Sequence, residues 1–135
     1  MRAVVLALAF VLALGPGAPA LAGDAPRASQ ERATTAFETF AREFMAKVHS
    51  REEREKRKPR VAAGPASTVF TYRGYGEEFR TELRPTGQAT APYVGLLHYT
   101  EHVYSCRDLE GGPCSIAASV PVTEVFRFRG GRWTY

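Results

Sequence analysis

Apolar residues recur every three or four positions at Ala33, Phe37, Phe40, Phe44 and Val48, and beyond Pro59 that period gives way to alternation. This switch is the tightest constraint on the chain. A helix with an aromatic stripe cannot bury it alone, and the elements left to cover it are strands. Ala36, Ala41 and Met45 widen the stripe. Ser29 stands where an N-cap belongs, with Glu31 in the first turn. The run Arg51-Glu52-Glu53-Arg54-Glu55-Lys56-Arg57-Lys58 prolongs the helix. Arg51 and Glu55, Glu52 and Lys56, and Glu53 and Arg57 are spaced to pair, each for about 0.2–0.5 kcal/mol. It reads as a solvated helix end projecting past the core rather than a basic docking tract. Pro59 stops it.

Residues 59–67, with Gly64-Pro65, read as a linker. Thr68 to Arg73 follows as a strand, Gly74-Tyr75-Gly76 as a bend or tight turn, and Glu77 to Arg84 as a second strand with Phe79, Thr81 and Leu83 on one face. After the turn at Pro85-Thr86-Gly87-Gln88, Pro92 to Ser105 is the long central strand. One of its faces carries Val94, Leu96, His98, Thr100, His102 and Tyr104, and the other Tyr93, Leu97, Tyr99, Glu101 and Val103. Ser119 to Arg129 is another strand, with Pro121 implying an edge or bulge near its start. Gly130-Gly131 suits a hairpin turn, and Arg132 to Tyr135 closes the chain. The expectation is one α+β domain over residues 23–135. Its parts are a helix over about 30–58, the linker at 59–67 and a β-rich part over 68–135. One long N-terminal helix packs on a curved antiparallel sheet of four to five strands.

Residues 1–22 have the three parts of a secretory signal peptide. Arg2 and the amino terminus begin it, Ala3 to Leu14 is an apolar run, and Ala20-Leu21-Ala22 ends it on small residues after Gly15-Pro16-Gly17. The apolar run is too short for the about 20 residues that span a bilayer. Cleavage after Ala22 predicts a periplasmic or secreted protein with no stable membrane insertion. The chain's two cysteines, Cys106 and Cys114, are an even pair, which an exported protein joins as a disulfide. Turn-forming residues separate them, and closing so small a loop stabilises by about 2–3 kcal/mol. The net charge is +4. Basic and acidic residues are interspersed, and the arginines near Phe126, Phe128 and Trp133 alternate with apolar positions. No nucleic-acid partner is expected.

The helix-then-sheet order resembles the cystatin-like and nuclear-transport-factor-2-like folds. The closing run Thr123-Glu124-Val125-Phe126-Arg127-Phe128-Arg129-Gly130-Gly131-Arg132-Trp133 resembles the last hairpin of the second family. The stretch from Tyr93-Val94-Gly95 to Tyr99-Thr100-Glu101 is similar to small exported bacterial proteins. The first resemblance implies a sheet curved around the helix, with a concavity that binds a protein or small ligand. The second also implies an enzyme alternative, with an acid–base pair drawn from His98, Tyr99, Glu101 and Glu124.

Possible ligand-facing residues are thus His98, Tyr99, Glu101 and His102. His98 to His102 matches H-x-x-E-H, a metal-protease pattern that needs both histidines on one helix turn. In a strand they stand roughly 13 Å apart at about 3.3 Å per residue and cannot share a metal. Gln88-Ala89-Thr90-Ala91-Pro92 lacks the Val and Gly of the cystatin inhibitory loop Q-x-V-x-G. No nucleophile elbow or phosphate loop is present. The expected function is an exported non-enzymatic binding or interaction domain, without cofactor or metal, with a small nuclear-transport-factor-2-like enzyme as the alternative.

Overall fold

The computed structural model describes residues 24–63, 68–108 and 113–135. The expected leader, residues 1–22, and its cleavage site lie outside them. Helix α1 spans Asp24–Arg57, followed by β1 (Arg60–Ala63), β2 (Thr68–Pro85), β3 (Tyr93–Cys106), β4 (Cys114–Arg129) and β5 (Arg132–Thr134). The strands form one antiparallel meander in the order β1-β2-β3-β4-β5. The fold is α+β: one long helix on an open, curved five-stranded sheet.

Several boundaries differ from expectation. α1 begins before Ser29, which is therefore inside the helix and not its cap. Ala28, Gln30, Glu31 and Arg32 are good helix formers, and Pro26 is tolerated in a first turn. The expected linker contains β1, whose Val61 and Ala62 pair with Phe70 and Val69. So short a segment becomes a strand because a partner edge is present. Gly74-Tyr75-Gly76 does not reverse the chain. β2 runs through it, with a register irregularity between Tyr75 and Phe79. β4 begins at Cys114 rather than Ser119, because Cys114 and Ser115 stay in register with Cys106 and Ser105. Cys106 and Cys114 are joined by a disulfide across this strand pair. At the far end Gly130 and Gly131 both take positive φ and form the expected hairpin turn.

The helix stripe meets the sheet, along a line slightly rotated from the expected one. Its fully sheltered members are Ala33, Phe37, Ala41, Met45 and Val48. Phe40 and Phe44 sit at its margin, partly buried, and Ala36 is exposed. Across from it lie Leu97, Tyr99, Phe126 and Trp133. Phe37 is the hub, with its ring centroid 4.5 Å from that of Trp133 and 6.0 Å from that of Phe126. Contact this close needs Gly95 on β3, where an added Cβ would lie 2.5 Å from the Phe37 ring. Burying a Phe contributes on the order of 1.5–3 kcal/mol, so these aromatic residues dominate the packing.

One turn beyond Val48 the same stripe carries Glu52 and then Glu55. Their carboxylates accept the backbone N–H groups of Tyr75, at 3.2 Å, and Arg73, at 3.3 Å. The two glutamates thus take the place of a neighbouring strand where β1 ends. Gly74 permits the approach: a Cβ there would lie 2.4 Å from the Tyr104 ring and 2.8 Å from Glu52 Oε1. The charged end of α1 therefore does not project past the core as a wholly solvated run. Glu52 turns to His49 Nδ1 at 3.3 Å rather than to Lys56, and Glu55 turns to the strand rather than to Arg51.

Candidate functional site

Along the flank of α1 from Phe40 to Arg51, a crevice of about 490 Å³ opens between helix and sheet. Phe40, Glu43, Phe44, Lys47, Val48 and Arg51 form its helix wall. The sheet wall is Arg73, Tyr75, Tyr99, Glu101 and Glu124, and the end of the chain, Trp133 to Tyr135, closes the third side. Helical spacing puts Lys47 and Arg51 one turn apart on one face. Strand alternation puts Tyr99 and Glu101 on one side of β3, and Glu124 comes from the adjacent strand β4.

The polar groups of the sheet wall are largely held in pairs. The Tyr99 hydroxyl donates to Glu124 Oε1 at 3.4 Å. Arg73 Nε lies 3.5 Å from Glu101 Oε1. Burial, reinforced by the Glu124 charge, holds the Tyr99 phenol well above its ordinary range. Burial and Glu101 raise Tyr75, with Arg51 pulling the other way. Burial and Glu124 raise Tyr135, again opposed by Arg51. The phenols are accordingly neutral hydrogen-bonding groups at physiological pH. Four crevice charges have no ion-pair partner among the described residues: Glu43, Lys47 and Arg51 on the helix and Glu124 on β4.

Of the four residues expected to face a ligand, the crevice brings together two, Tyr99 and Glu101. His98 and His102 alternate with them and project from the other side of β3. His98 Nδ1 is 2.9 Å from Thr123 Oγ1, and its Nε2 is 3.6 Å from Glu82 Oε2. His102 Nδ1 is 2.8 Å from Ser119 Oγ, and its ring lines a separate recess with His49, Glu52 and Tyr104. Each histidine thus has its own hydroxyl on β4. Among the described residues no group of three or more His, Cys, Asp or Glu is placed to hold a metal ion. Glu43, Lys47, Arg51, Arg73, Tyr75 and Tyr135 are charged or phenolic crevice residues that sequence reasoning missed. Tyr75 was hidden by the apparent turn around it, and Arg51 by the spacing that matched it to Glu55.

No described helix is long and apolar enough to cross a membrane. No protein-family model, curated protein or solved structure matches this chain.

Proposed function

We propose that this protein is an exported, non-enzymatic binding domain, and that the helix–sheet crevice is its ligand seat. The observation that carries the reading is the composition of the crevice. Phe40, Phe44, Val48 and Trp133 give it an apolar floor, and charged and phenolic groups converge around that floor from helix and sheet, the mixture that orients a small molecule. The sheet-wall groups already satisfy one another in pairs, which suits holding a ligand more than exchanging protons with one. The disulfide fits an oxidising compartment, in keeping with the signal-like leader.

The enzyme alternative draws on Glu101 and Glu124, both in the crevice. It is the weaker reading because Arg73 occupies the first and Tyr99 the second, while both histidines stand elsewhere. A cystatin-like or nuclear-transport-factor-2-like ancestry is part of the proposal and rests on the element order and on the closing run Thr123 to Trp133.

Trp133 is the chain's single tryptophan and lines the crevice, so it reports occupancy. A mixed set of small aromatic acids, amines and amino acids, added to the mature protein, should shift backbone and indole NMR signals around Arg51, Tyr75, Tyr99 and Trp133. Shifts gathered at the recess of His49 and His102, or at the exposed half of β4, would displace the site. Turnover of any added compound abolished by Glu124→Gln would favour the enzyme.

A further inference from the structure

Four charged residues of the crevice have no ion-pair partner among the described residues, and they belong to different walls: Glu43, Lys47 and Arg51 on the helix, a net cationic wall, and Glu124 on the sheet. Arg51 is one. Its helical neighbour at the right spacing, Glu55, is spent on the Arg73 amide of the β2 edge. Lys47, one turn before Arg51, adds a second cation to the same wall. Glu124 faces them from β4, half-buried, with the Tyr99 hydroxyl donating to it. The carboxylate nearby on β3, Glu101, is neutralised by Arg73. Tyr135 lies within reach of Arg51 and Glu124: its hydroxyl is influenced by Glu124 in one direction and by Arg51 in the other. Between these charges the floor is apolar, made by Phe40, Phe44 and Trp133.

From this arrangement, and resting on the crevice being the ligand seat, we infer that the ligand is a small zwitterion with an apolar or aromatic body, of the amino-acid type. Its carboxylate faces Arg51 and Lys47, its ammonium faces Glu124, and its body lies on the aromatic floor. A ligand with a single charge would leave one wall desolvated and unpaired. That cost is what gives a site built from opposed charges its selectivity. The ammonium gains further from neighbouring aromatic faces, and the guanidinium matches a carboxylate's two oxygens.

Titration calorimetry with phenylalanine, phenethylamine and 3-phenylpropionate on the full mature protein tests the assignment. Phenylalanine should bind at least about tenfold tighter than either single-charge analogue. Arg51→Gln should weaken phenylalanine and phenylpropionate by about tenfold and leave phenethylamine unchanged. Glu124→Gln, which keeps an acceptor for Tyr99, should weaken phenylalanine and phenethylamine and leave phenylpropionate unchanged. Circular dichroism melts of both variants should match wild type, since neither charge holds an ion pair. If a single-charge analogue binds as tightly as phenylalanine, or the variants do not split by charge, the zwitterion assignment fails while the seat stands. If none of the three binds, both the assignment and the seat are overturned.

Discussion

β2 and β4 flank the same central strand, yet their outer edges are finished in opposite ways. On β2, β1 covers Thr68 to Thr71, and the Glu55 and Glu52 carboxylates then take the Arg73 and Tyr75 amides. Beyond them Glu78, Arg80 and Arg84 stand exposed and charged, which also discourages strand pairing. On β4, β5 covers only Arg127 to Arg129. From Cys114 to Pro121 every residue is exposed, and none up to Thr123 carries a charge. Pro121, a register irregularity opposite Val103 and Tyr104, and the disulfide are what interrupt or hold this edge. A helix can therefore serve a sheet twice, by packing its apolar face and by lending carboxylates to an edge. Among the described residues only the β2 side receives both, and the crevice lies between that helix and the sheet.

The largest expected difference between the two regions is in packing. Phe37→Ala should cost about 3–5 kcal/mol in urea denaturation, with Phe40→Ala and Phe44→Ala costing less because both are only partly buried. Val120→Ala on the bare half of β4, 53% exposed, should cost no more than about 0.5 kcal/mol, as surface sites usually do. Equal losses at Phe37 and Val120 would erase the distinction. Next in size is the disulfide, which supports the bare edge. Replacing Cys106 and Cys114 together by Ser should cost about 2–3 kcal/mol, and no change would mean that strand pairing alone holds the corner.

A smaller effect belongs to the guarded edge. Glu52→Ala strands the Tyr75 amide and should cost about 1–3 kcal/mol, whereas Glu52→Gln keeps an acceptor and should recover most of it. Equal costs for the two would show that the carboxylate does not close the edge. Subtler still is the response to alkali. Tyr72, Tyr75, Tyr99 and Tyr135 are all raised above the ordinary 10.0 in the folded state, each by burial first. Their contribution to stability is complete below the unfolded-state value of 10.0. It is lost as pH rises past that value toward the folded-state ones, because the unfolded chain releases its phenolic protons first. Melting temperature should therefore fall above about pH 10, and Tyr99→Phe should flatten that fall. An unchanged slope in Tyr99→Phe would remove Tyr99 as its source.

The helix, the sheet, the helix-facing residues Leu97 and Tyr99, the hairpin at Gly130-Gly131 and the cysteine pair were all legible in the sequence. Each rests on local period, turn chemistry or pairing arithmetic. Three features were not. β1 has no pattern of its own over four residues and exists through its partner. Gly74-Tyr75-Gly76 has the composition of a turn, but its Gly74 serves a close helix–strand approach that only tertiary structure reveals. Glu52 and Glu55 look like members of a solvated charge run, because helical spacing pairs them with cations and nothing local points to a strand edge. The crevice was half legible for the same reason: alternation places Tyr99 and Glu101 together, while Arg51 enters it only once Glu55 has turned elsewhere.

The central claim is that the end of α1 closes the β2 edge and so frames the crevice. Residue-resolved amide hydrogen exchange tests it most directly. The Arg73 and Tyr75 amides should be protected to nearly the level of β3, while outward amides between Ser115 and Val125 on β4 exchange fast. In a Glu52→Ala, Glu55→Ala double variant, protection at Arg73 and Tyr75 should collapse to the β4 level while Leu97 and Phe126 stay protected. Arg73 and Tyr75 amides exchanging as fast in the wild type as those of the β4 edge would contradict the account.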